Sequence, residues 1–162
     1  MKRAGISAGI LMIIVAVVVA VLMIAIAIGV YHIGYSSVNA MGTVTGSANI
    51  VGTNTLAITL TASGGIAKVT ALNIYDASGN LLVKVTPGSV AGSGSCSGAS
   101  FSLQIYNATS GSTPFTTWGT QSIQAGQSMT VNIVSSSTCL GTAATVQVIY
   151  NNGRSITLTV GS

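Results

Sequence analysis

The sequence predicts an α+β chain: one long N-terminal apolar helix followed by an antiparallel β-sandwich head. Three observations carry that expectation. Ile10 to Val30 is a run of 21 residues without a charge or a strongly polar side chain. From Val44 onward, short stretches alternate apolar and polar residues. Between those stretches stand Gly, Ser, Asn and Thr, the residues of turns and loops.

The helix comes first. At about 1.5 Å per residue, such a run extends about 31 Å, close to the roughly 30 Å of a bilayer core. Lys2 and Arg3 precede it, and Tyr31, His32 and Tyr35 follow it. Basic residues before a span and aromatics after it predict a transmembrane helix with a cytoplasmic N-terminus. His32 reads as a boundary residue rather than a ligand. The expected organisation is a short basic leader over 1–5, the apolar helix over 6–35, a linker over 36–42 (SSVNAMG) and the head over 43–162.

The strands follow in order. Val44 to Val51, Lys68 to Tyr75 and Leu81 to Val85 have strand composition. Strict alternation marks Leu56-Ile58-Leu60, Phe101-Leu103-Ile105, Met129-Val131-Ile133, Val146-Val148-Tyr150 and Ile156-Leu158-Val160. A period of two places every second side chain on one buried face. Asn151-Asn152-Gly153 between the last two runs predicts a hairpin turn, because Asn and Gly tolerate positive φ. About eight short strands point to two antiparallel sheets packed as an immunoglobulin-like sandwich. Disorder is expected only over the Gly/Ser loop Pro87 to Gly98.

Composition excludes most chemistry. Charged residues make up 4% of the chain, and the side-chain charges are Lys2, Arg3, Lys68, Lys84, Arg154 and Asp76. One carboxylate cannot supply an acid–base pair, and one His with two Cys falls short of an ordinary metal site. No catalytic residue, metal or cofactor is expected, so the chain reads as a non-enzyme. The net charge of +4 is divided between the N-terminus and three scattered head cations, which does not suit nucleic acid. From Met41 onward there is one carboxylate side chain and no histidine. Head stability is therefore expected to change little between about pH 7 and pH 2.

Cys96 and Cys139 are the only cysteines, and both fall in hydroxyl- and Gly-rich loops of the head. An even count favours a disulfide in an extracellular setting. Asn107-Ala108-Thr109 is the single N-glycosylation sequon, making Asn107 the glycosylation candidate.

The opening residues Met-Lys-Arg-Ala-Gly-Ile place a basic pair immediately before the apolar run. With Lys2, Arg3, Ala4, Gly5 and Ile6 as the recognition segment, this resembles the class III leader of archaeal type IV pilins and archaellins. The glutamate that bacterial pilins carry early in the mature helix is missing here. The resemblance implies leader removal by a prepilin peptidase, residence in the membrane before assembly, and polymerisation into a cell-surface filament. Its implied partners are further copies of the same chain, an assembly ATPase and a membrane platform; its implied use is adhesion. Gly9, Ala16, Ala20, Ala27 and Gly34 lie within about 60° of one another on a helical wheel, a small-residue stripe suited to close helix packing. Three other readings stay open at this level: an archaellin for motility, a signal-anchored surface binding domain, and a secreted thread subunit cleaved after Ala40 that polymerises by strand exchange.

Overall fold

A computed structural model describes residues 8–40, 42–107 and 113–161. The chain divides into two compact units, Met1–Ser37 and Val38–Ser162. The leader residues Lys2, Arg3, Ala4, Gly5 and Ile6 lie outside the described residues.

The helix α1 comprises Ala8–Ala40. Residues 36–40, expected as linker, are helical: no Pro or Gly interrupts Ser-Ser-Val-Asn-Ala, and the first such breaker is Gly42. Side chains in α1 are described at Met12, Ile13 and continuously from Val15 to Ile28. Among the described residues, no helix is long and apolar enough to cross a membrane. This overturns the expected transmembrane helix and the expected localisation as a single-pass membrane protein before assembly.

The expected two-sheet, immunoglobulin-like sandwich is also overturned. The head is one continuous sheet of ten strands: β1 (Thr43–Val51), β2 (Thr55–Ser63), β3 (Ala67–Asp76), β4 (Leu81–Thr86), β5 (Ser89–Gly92), β6 (Phe101–Tyr106), β7 (Gln121–Ile123), β8 (Ser128–Ser135), β9 (Ala143–Tyr150) and β10 (Arg154–Gly161). Their order is β5-β4-β3-β9-β10-β1-β2-β8-β6, with β7 added to β3. The first and last strands meet in the middle and run parallel, Ala48 opposite Val160 and Asn49 opposite Gly161. That pairing joins two antiparallel halves that would otherwise be separate sheets. The result is a nearly closed, barrel-like sheet.

Both halves turn their alternate apolar residues onto one core. Leu56, Ile58, Leu60 and Ile133 come from one half, and Leu72, Ile74, Val83 and Val148 from the other; all are fully buried. At roughly 1.5–3 kcal/mol for each large apolar side chain removed from water, this core is the main term holding the sheet closed. Trp118 is buried, and its indole N–H donates to the Thr70 carbonyl at 3.2 Å. Its own carbonyl accepts from Gly88 N–H at 2.8 Å.

The segment Pro87 to Gly98 is ordered, contrary to expectation. It contains β5 and a 3-10 turn over Gly94–Cys96. The cause is covalent as well as local: Cys96 is bonded to Cys139, with Cα atoms 5.2 Å apart and a sequence separation of 43. The Asn-Asn-Gly turn forms as the sequence predicts, with φ of 41° at Asn151, 62° at Asn152 and 96° at Gly153.

Candidate assembly surface

Among the described side chains of α1, every large apolar one is exposed. Exposure runs from 48% at Val19 to 77% at Met12, with Ile13, Val17, Leu22, Met23, Ile24 and Ile26 in between. The helix is apolar on every side rather than along one stripe, a pattern that belongs to helices surrounded by other apolar surface. Within the predicted small-residue stripe, Gly9, Ala16, Ala20 and Ala27 are all exposed, and Gly34 is helical. A Cβ built on Gly9 meets nothing within 4 Å. Gly9, Ala16, Ala20 and Ala27 form an open strip along one side of α1, where a second backbone can approach closely.

The head presents two different outer faces. On the β1, β2, β8 and β6 half, the outward residues are uncharged and dominated by hydroxyls and amides: Thr45, Ser47, Thr59, Thr61, Thr130 and Asn132 among them. Several hydroxyls pair across strands, Thr61 with Ser128 at 2.8 Å and Thr43 with Ser63 at 2.7 Å. Every charged side chain of the head lies on the other half, Lys68 and Asp76 on β3, Lys84 on β4 and Arg154 on β10.

Asp76 sits at the end of β3 and organises the turn into β4. Its carboxylate accepts from Ser78 N–H at 2.9 Å, Asn80 N–H at 2.8 Å and the Asn80 side-chain amide at 3.0 Å. The Asn80 side-chain amide is the largest influence, followed by the Asn80 backbone, and together these donors hold the carboxyl below its usual range. The stabilising partners are therefore amides rather than the cation that a salt bridge would require.

Where the head begins, three strand ends are tied by one side chain. The Asn151 amide donates to the Gly42 carbonyl at 2.8 Å, and its oxygen accepts from Lys68 N–H at 2.8 Å. Gly42 has no room for a side chain, since an added Cβ would collide with the Ile66 carbonyl. The signal for this joint was half visible: the Asn-Asn-Gly turn is legible in sequence, but its long-range partners are not.

Asn107 follows β6 directly and is half-buried; Ala108 and Thr109 of the sequon lie outside the described residues. His32 falls within α1, with its side chain outside the described set. Among the described residues no group of three or more His, Cys, Asp or Glu could hold a metal ion. Sequence reasoning singled out neither Phe115 nor Trp118, which the structure fixes on the head. Phe115 is fixed by reciprocal backbone bonds with Ile105, both 2.9 Å. Two aromatics within a Thr/Ser/Gly stretch were the only available hint.

No family model matches this chain, and no curated protein matches it.

Proposed function

We propose that this protein is a structural subunit of an extracellular filament of the archaeal type IV pilus kind, assembling through α1 and serving in adhesion. The observation that carries the reading is the exposure of every described large apolar side chain of α1, from Met12 to Ile28. Each large aliphatic side chain left in water forgoes roughly 1.5–3 kcal/mol, and a bundle of identical helices recovers it. Copies of the same chain are the natural partner, because the small-residue strip is self-complementary in size. The Lys2-Arg3-Ala4-Gly5 junction supplies the processing signal for a prepilin peptidase, and an assembly ATPase with its platform completes the machinery. The heads, closed around their own core and clamped by the Cys96–Cys139 bond, form the outer surface; a disulfide suits an oxidising exterior. Catalysis has no part in this role.

N-terminal sequencing and intact mass of the subunit from sheared surface filaments test the reading. A start at Gly5 or Ile6 is expected. A start at Met41 would remove the helix and defeat it.

A further inference from the structure

Beside β7 the head carries an open cleft of about 470 Å³. Phe115, Thr117, Gln121, Gln124, Gln127 and Ser128 line it, and none of its lining residues is charged. Three of the five glutamines in the chain converge there. Phe115 is 44% exposed, the one large aromatic side chain among the exposed hydrophobics of the head's described residues. Its backbone is held on both sides by Ile105, so the ring is presented from a fixed position. The turn carrying Gln124 and Gln127 is equally fixed: Gln127 N–H donates to Gln124 O at 3.0 Å, Gly126 N–H to Ala62 O at 2.8 Å, and Ala62 N–H to Gln127 O at 3.1 Å. Among the described residues, the side-chain amides of Gln124 and Gln127 have no hydrogen-bond partner.

We propose that this cleft binds a neutral saccharide. A glutamine amide offers two donors and an acceptor, and a Thr or Ser hydroxyl offers both functions. Sugar hydroxyls also donate and accept, so each can be matched without a charge. The apolar face of a pyranose ring needs a flat apolar support, and Phe115 supplies one. Anionic ligands are disfavoured because no cation lines the cleft to offset their loss of water. The inference concerns the head alone and does not depend on filament assembly by α1.

The test uses the full chain in a sugar-free zwitterionic detergent, titrated with maltotriose and with triacetylchitotriose by saturation-transfer NMR. Saturable binding of at least one probe, with Kd between about 0.1 and 10 mM, is expected, as is usual for a single shallow site. Phe115→Ala should weaken that binding at least tenfold. Gln127→Leu, at an exposed side chain whose backbone bonds are retained, provides the second variant. Loss of binding in either variant that keeps the wild-type melting temperature supports the site. Absence of saturable binding to both probes overturns it, as does binding unchanged in both variants. Tighter binding of 3′-sialyllactose than of either neutral probe would overturn the neutral class.

Discussion

Leu56, Ile58 and Ile133 of the head are fully buried, whereas Val19, Ile24 and Ile26 of α1 are roughly half to two-thirds exposed. The residue types are the same; their surroundings are opposite. In the head, alternation lets a curled sheet turn every second side chain onto its own core. In α1, apolar residues occupy all sides, so no single contact within the chain could cover them. The head carries its stability within itself, and α1 has its burial still to find. A mutation in the first should be read in melting temperature, and one in the second in assembly.

Breaking the Cys96–Cys139 bond should have the largest effect on the head. Closing a loop of this length stabilises by about 4 kcal/mol in the chain-entropy model. The Cys96→Ser/Cys139→Ser double variant should show a much lower denaturant midpoint, with fraying concentrated around β5. Ile58→Ala comes next, at about 2–5 kcal/mol for a large-to-small change in a closed core. Ile24→Ala removes the same atoms from α1 and should leave the head's thermal melt within about 0.5 kcal/mol of wild type. If the two substitutions lowered the melt equally, the contrast between head and helix would be gone. Asn151→Ala is smaller, about 1–3 kcal/mol, because it leaves a Gly42 carbonyl and a Lys68 N–H without their side-chain partner.

Acid should have the smallest effect. Asp76 has a folded-state pKa below its unfolded value, so its contribution is complete above the unfolded pKa and disappears as pH falls through the folded one. No other side-chain carboxylate and no histidine lies in the head to add to that loss. Melting temperatures at pH 7 and pH 2 should therefore nearly coincide. A large fall at pH 2, persisting in Asp76→Asn, would show that another group controls the head.

Legibility in the sequence followed the range of the interaction. Local periodicity located five of the strands, strand composition located three more, and the positive φ preference of Asn-Asn-Gly located a turn. The strands β5 and β7 were missed because four and three residues are too few to display a period. The parallel meeting of β1 and β10 was invisible for a different reason: alternation reports which face is buried, never which strand lies alongside. That single pairing separates a nearly closed sheet from a two-sheet sandwich. Order in Pro87 to Gly98 was hidden because composition reports local flexibility, whereas Trp118 and the disulfide fix the segment from far away in sequence. The cleft could not be read either, since Gln121, Gln124 and Gln127 face Phe115 only after β7 has paired with β3.

In the proposed filament, α1 buries its apolar surface against copies of itself. Sedimentation of the leader-processed chain, wild type beside Ala20→Asp, measures that directly, with electron microscopy of the pellet. Ala20 lies in the exposed small-residue strip, and an unpaired carboxylate enclosed by apolar helices costs several kcal/mol per subunit. The wild-type chain should pellet as filaments, and the variant should stay in the supernatant with an unchanged head melting temperature. Filaments of normal abundance from Ala20→Asp would contradict the account.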